Sequence, residues 1–339
     1  MTEHASPPRI SPWPHRLAVA LALVTFPLIW VGGLVTTYDA GMAVPDWPGT
    51  YGYNLFLYPL STWFSGPFDL FVEHGHRLLG ALAGLLTIAL VIVVWLKDDR
   101  RWVRDAALAA LALVIFQGVL GGMRVLLDER LLALVHGCTG PLFFAWTMCL
   151  VEVTSRHWQA QQPSVRDGSG SRFARNAWIA AGLAYLQLTV GALLRHVPVD
   201  APPQLFRAAL LFHLIFAVVL AVQLGMLTTN VLTNLREHRS LRLPAIGLGM
   251  LIVFQVSLGI STYVMKYSWP AWMDQFGFAA AFVVREKSFT QASVITLHVA
   301  IGSLILAGTT ALALRSSRIF LRQTAREVGS RKLFLGVAV

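Results

Sequence analysis

The sequence predicts an all-α membrane protein with eight transmembrane helices, arranged as two pseudo-symmetric four-helix bundles. Three observations lead there. Of the 339 residues, 56% are hydrophobic and 13% charged, against roughly 25% charged in a soluble domain; mean hydropathy is +0.62. Eight windows carry the ~20 mainly apolar residues that cross ~30 Å of hydrocarbon, close to 17–38, 75–96, 103–125, 132–152, 173–194, 206–230, 243–265 and 290–314. They fill more than half the chain and leave no room for a sizeable soluble domain. With the N-terminus placed in the cytoplasm, 19 of the 27 Lys and Arg fall in inside segments. That excess sets both termini as cytoplasmic. The net charge of +10 is thus a topology signal, and no nucleic-acid partner is expected.

The elements follow in order. The first apolar run exceeds 20 residues and ends in no clear cleavage site, so it reads as the first span and not as a signal peptide. The outer loop 39–72 is long and aromatic, with Trp47, Tyr51, Tyr53, Phe56 and Tyr58. Loops of that length are often lids, although an interfacial aromatic belt has the same composition. The second span opens on Phe71-Val72-Glu73-His74-Gly75-His76-Arg77. Cys138 and Cys149 share the fourth span; eleven helical residues put their Cα atoms roughly 16 Å apart, beyond the ~7 Å limit for a disulfide. Both are expected to be structural. Residues 155–172 are polar, Gly/Ser-containing and basic, and read as a cytoplasmic linker between an N-terminal half (1–154) and a C-terminal half (173–314). The loop 266–289 carries Trp269, Trp272 and Phe276, a second candidate cover at the outer face. Residues 315–339 form a basic tail, expected on the inner membrane surface, where anionic headgroups attract it.

The halves repeat. The third, fifth and seventh spans share Gln-x-x-x-Gly, as Gln117/Gly121, Gln187/Gly191 and Gln255/Gly259, whereas the first has Gly33 with Ile29 in place of Gln. Each even-numbered span carries a histidine near its start and a small residue four positions later: His76/Gly80, His136/Gly140, His213/Ala217 and His298/Gly302. Duplication of a four-helix unit, with parallel halves, is the expected origin. Small residues one turn from a histidine let a planar group or a neighbouring helix approach the backbone.

Ionisable side chains inside spans are costly and usually functional. Four histidines, one per alternate helix at one depth below the outer surface, point to metal ligation. Facing histidines on separate helices of a bundle suit a haem iron. Zinc or copper would call for ligands closer together, with carboxylates or thiolates nearby. Two bis-histidine haem sites, one per half and toward the outer face, are therefore expected, with His76, His136, His213 and His298 on iron. Glu73 and His76, spaced i and i+3, share a helix face, and a partly desolvated carboxylate beside a histidine can move protons near substrate. His74 points elsewhere and is expected at the interface. Arg77 could pair with a propionate or snorkel to the surface.

At this point the chain resembles the haem A synthase family over nearly its whole length. The resemblance rests on Glu73-x-x-His76-Arg77, on AVPDWP at 43–48, and on His136, His213 and His298. It implies that His213 and His298 bind a haem b cofactor. It implies that His76 and His136 address the substrate haem O, with Glu73 essential to the chemistry. The reaction implied is oxidation of a ring methyl of haem O to a formyl group through hydroxylated intermediates. Expected accordingly are a multi-pass protein of the cell (inner) membrane in contact with lipid, and a haem O synthase and an electron carrier as partners. Many members carry two cysteines in the outer loop; here Val44 and Thr50 stand there, so that disulfide is absent.

Other classes fit less well. A dihaem b-type electron carrier would not need a carboxylate in one half alone. A transporter would show helices broken near mid-membrane, and none is evident. A prenyltransferase would need spaced aspartate pairs, whereas Asp98-Asp99 are merely adjacent.

Overall fold

The computed structural model describes residues 11–160, 168–198 and 200–335, the side chains of 168–169 and 321–335 excepted. Eight of its helices are long and apolar enough to cross a membrane. In order they are Trp13–Thr37, Phe68–Lys97, Arg101–Leu127, Arg130–Thr154, Gly168–Arg195, Pro203–Thr233, Arg239–Tyr267 and Phe289–Leu335. The protein is all-α and multi-pass. Among the described residues the one β-type feature is an isolated bridge between Thr50 and Tyr53. The shortest spans have 25 residues, about 37 Å at 1.5 Å per residue, so their ends reach into the headgroup layer.

That overhang explains why each helix outruns its apolar window. The second begins at Phe68, not near 75, because Glu73, His74, His76 and Arg77 depress hydropathy without breaking the helix. The first starts where Pro14 occupies an early helical position, a place that needs no intrahelical N–H partner. The eighth runs unbroken to Leu335, so residues 315–335 extend that helix instead of forming a separate tail. Residues 336–339 of the expected tail and 161–167 of the expected linker lie outside the described residues. Arg156–Ala160 forms a short helix, and Gly168 already belongs to the fifth span.

Packing places each histidine-bearing helix diagonally from its partner. The first span packs on the second and fourth, and the third packs on the same two; the fifth and seventh likewise each pack on the sixth and eighth. The second and fourth spans are therefore opposite corners of one four-helix group, and the sixth and eighth of another. Apolar cores fill the part of each group remote from the long loops. Leu21, Leu90, Val103 and Leu150 are fully or almost fully buried in the first core, and Leu224, Leu241, Ile305 and Leu312 in the second. The sixth span presents Leu211, Leu214, Val218 and Val222 outward. In a soluble protein that would mark an interaction surface, but on a spanning helix it is the face suited to lipid.

Polar ties join the groups at both ends. Near the long loops, Arg195 Nη2 donates to the Gly33 carbonyl at 3.0 Å and to Thr37 Oγ1 at 2.6 Å, and Trp30 Nε1 donates to Thr296 Oγ1 at 3.0 Å. At the far end, Arg315 grips the buried Glu152 through two bonds of 2.8 and 2.5 Å. The loop between the first two spans is not featureless. It holds 3-10 turns at Ala40–Met42 and Leu55–Leu57 and a short helix at Leu60–Ser65.

Candidate functional site

The diagonal packing brings the four histidines together in two pairs. His76 faces His136 with ring centroids 6.4 Å apart and planes at 89°; His213 faces His298 at 6.3 Å and 71°. A first-row metal takes an imidazole nitrogen at about 2.0–2.1 Å, so two rings on opposite sides of one ion have centroids roughly 6 Å apart. Both pairs have that separation. The described residues contain no cluster of three or more His, Cys, Asp or Glu able to hold an ion. Each pair thus offers two imidazoles at a separation that would suit a haem iron.

Each ring is seated on a glycine of the preceding helix. A Cβ added to Gly32 would lie 2.7 Å from His76 Cε1; the same test gives 3.3 Å for Gly121 and His136, 2.9 Å for Gly191 and His213, and 3.1 Å for Gly259 and His298. At Gly32 and Gly191 a side chain would force the ring to shift, and at Gly121 and Gly259 it would crowd it. The sequence repeat placed Gly33 at the matching position in the first span. The structure moves the register by one, since Gly33 packs on Thr296 and Gly32 carries His76. Leu28, not Ile29, is therefore the counterpart of the three glutamines.

Those glutamines reach across to the next helix. Gln187 Nε2 lies 3.2 and 3.3 Å from the two ring nitrogens of His213, and Gln255 Nε2 donates to the His298 carbonyl at 2.9 Å. Gln117 Nε2 bonds Thr139, one turn beyond His136. Nδ1 of His76, His136 and His298 is buried without a hydrogen-bond partner, as are the Gln187 and Gln255 amide oxygens. An orphaned buried polar group costs about 1–3 kcal/mol, so these ring nitrogens are places where a bound group would restore a partner. The residues fit a haem at each pair.

Glu73 and Arg77 sit beside the first pair, joined to each other and to the loop. Arg77 Nη2 donates to Glu73 Oε1 at 2.7 Å and to the Val44 carbonyl at 2.7 Å. Arg77 Nη1 donates to the carbonyls of Asp46 and Gly49 at 2.6 and 2.7 Å. The Val44 N–H donates to Glu73 Oε2 at 3.1 Å. Both carboxylate oxygens are thereby engaged, and Arg77 neither snorkels to the surface nor stands free. His74 corrects the expectation of an interfacial residue. It is 2% exposed, shares a 2.9 Å hydrogen bond with Thr50 Oγ1, and packs between Tyr58 and Trp63. Val44 and Thr50 are themselves fully buried, so the two loop positions that lack cysteine are anchored by hydrogen bonds. Asp46 accepts from the N–H groups of Tyr51 and Gly52 at 2.7 and 2.9 Å. Burial alone would raise its pKa, but these bonds and the nearby Arg77 hold the carboxyl below its usual value.

Sequence reasoning missed the glycine seats, although it found the Gln-x-x-x-Gly repeat that contains three of them. It also passed over Arg195, whose partners Gly33 and Thr37 lie on another helix. Cys138 and Cys149 are both unpaired, with Cys138 buried and Cys149 partly so.

Comparison with known proteins gives one family. The family model COX15-CtaA, described as cytochrome oxidase assembly protein, matches residues 15–201, more than half the chain. The haem A synthase of Staphylococcus saprophyticus is 25% identical over 267 residues, covering 73% of this chain and 84% of that protein. That of Shouchella clausii is 24% identical over 271 residues, covering 75% and 87%. That of Listeria monocytogenes serotype 4a is 31% identical over 142 residues, covering 40% and 43%.

Proposed function

The chain belongs to the COX15-CtaA family of cytochrome oxidase assembly proteins, and from that membership we propose that it is a haem A synthase, an oxidoreductase converting a ring methyl of haem O to a formyl group. The observation that carries this reading is the pair of facing imidazoles in each helix group, with a buried carboxylate, Glu73, three residues before His76 and no carboxylate at that place before the other three histidines.

In this reading His213 and His298 hold haem b, and His76 and His136 address haem O. Haem b would supply a redox-active iron. The chain's own residues do the rest. Gly32, Gly121, Gly191 and Gly259 let the rings lie close against the preceding helices. Gln187 orients the His213 ring, as groups hydrogen-bonded behind metal ligands commonly do, and Gln255 ties down the main chain at His298. Glu73 holds the loop by accepting from the Val44 N–H and lies one turn from His76. Arg77 pairs with that carboxylate and holds the loop by three of its carbonyls, which limits water at the first pair.

The two groups are two halves related by duplication, with the segment between the fourth and fifth spans as linker between them. Both termini face the cytoplasm and both pairs lie toward the outer face of the cell membrane. A haem O synthase that delivers substrate and a carrier that removes electrons are the partners this activity calls for. A dihaem electron carrier is the second reading. Against it stands the asymmetry of the site: the residues three before His136, His213 and His298 are Ala133, Leu210 and Ile295, so the carboxylate belongs to the first pair alone. Expression in cells that make haem O but lack haem A tests the choice. Haem A in the extracted pigment supports the synthase; haem O recovered unchanged, with full haem loading, supports the carrier.

A further inference from the structure

Two consecutive glycines of the third span seat two different rings. Gly121 lies under His136, while a Cβ on Gly122 would stand 2.4 Å from Cδ2 and Cε2 of the Trp47 indole. The outer loop thus delivers a large flat side chain to the residue next to a ligand seat. The loop is fixed on both sides of Trp47: Arg77 holds the carbonyls of Val44, Asp46 and Gly49, and His74 holds Thr50. Gly41 packs so tightly on Arg124 that the guanidinium occupies the place of a Cβ. Trp47 nevertheless remains 41% exposed, so one face of the indole is seated and much of the rest is open. The loop beside the second pair is tied differently, through the Lys287 N–H to Gln291 and the Lys287–Asp39 ion pair.

We propose that residues 43–53 form a lid latched over the first imidazole pair, and that Trp47 is its substrate-positioning residue, packing its open face against the macrocycle edge of haem O. This rests on the reading of the first pair as the haem O site. An indole against a conjugated ring adds specific stacking to apolar burial, and a side chain already held in place loses little entropy on contact. The latch is made of hydrogen bonds and one ion pair, and residues 43–53 contain no cysteine, so the lid stays closed under reducing conditions.

The test titrates the full-length protein with haem O and follows turnover for wild type, Trp47→Ala, Trp47→Phe and Gly122→Ala. The haem b spectrum of the second pair serves as the folding control. Loss of the stacking contact should weaken haem O binding and raise KM about fivefold to tenfold in Trp47→Ala, with kcat changed far less. Trp47→Phe should recover most of the affinity. Gly122→Ala should behave as Trp47→Ala, because its methyl takes the place of the indole, and should also speed deuterium exchange at the Val44 N–H. Trp47→Ala with wild-type KM, or Gly122→Ala with wild-type exchange and KM, overturns the proposal. A wild-type protein that takes up no haem O contradicts the assigned substrate instead.

Discussion

Glu73 and Arg77 face each other one helical turn apart, with 2.7 Å between Oε1 and Nη2 and side-chain exposures of 4% and 10%. Breaking such a buried pair by removing one partner costs about 3–5 kcal/mol, because the other charge is left uncompensated. Glu73→Ala should therefore lower thermal stability and free the Val44 N–H, yet leave the second pair intact. In cells supplying haem O, the variant is expected to retain haem b and to form no haem A. Normal haem A in the pigment extract would remove Glu73 from the chemistry.

The glycine seats give a graded expectation. Replacement by alanine puts a methyl 2.7 Å from the ring at Gly32 and 2.9 Å at Gly191, but 3.1 Å at Gly259 and 3.3 Å at Gly121. Contacts below 3.0 Å force a ring to move, and packed interiors resist such shifts at a cost of about 1–3 kcal/mol. Gly191→Ala should weaken haem retention at the second pair more than Gly259→Ala does. The ratio of haem to protein after purification reads the order, and the reverse order would contradict it.

Gln187 tests the positioning role. Its amide lies within 3.3 Å of both His213 ring nitrogens, and removal of a group behind a metal ligand typically costs about 10–100-fold in affinity. Gln187→Leu keeps the volume and loses the amide. Haem b affinity should fall within that range while the first pair is unaffected, as measured by haem transfer to an apo-acceptor. Unchanged affinity would make the glutamine a mere packing residue.

Asp46 gives the loop a dependence on pH. Its folded pKa is depressed, so its contribution is fully present above the unfolded value and is lost as pH falls through the folded one. Acidification below about pH 4 should speed deuterium exchange at Tyr51 and Gly52, whose N–H groups it accepts. Asp46→Asn should flatten that response. Equal pH dependence in both proteins would assign it elsewhere.

The all-α architecture and the eight spans were legible because hydropathy follows from composition over a window and needs no knowledge of packing. His76, His136, His213 and His298 were legible because each recurs at one place in its helix. What failed was local. The register of the first-span glycine was set one residue late because the Gln that marks it elsewhere is Leu28 here. His74 was placed at the interface because its partner, Thr50, is 24 positions away across a loop. The anchoring of residues 43–53 depends on main-chain carbonyls, which every sequence possesses and none advertises.

The paired imidazoles are tested most directly by the low-temperature electron paramagnetic resonance spectrum of the purified protein and its single-histidine variants. Low-spin six-coordinate haem is expected in the wild type, lost in His213→Ala and His298→Ala and preserved in His76→Ala and His136→Ala when only haem b is present. A low-spin signal unchanged in both His213→Ala and His298→Ala would contradict the account.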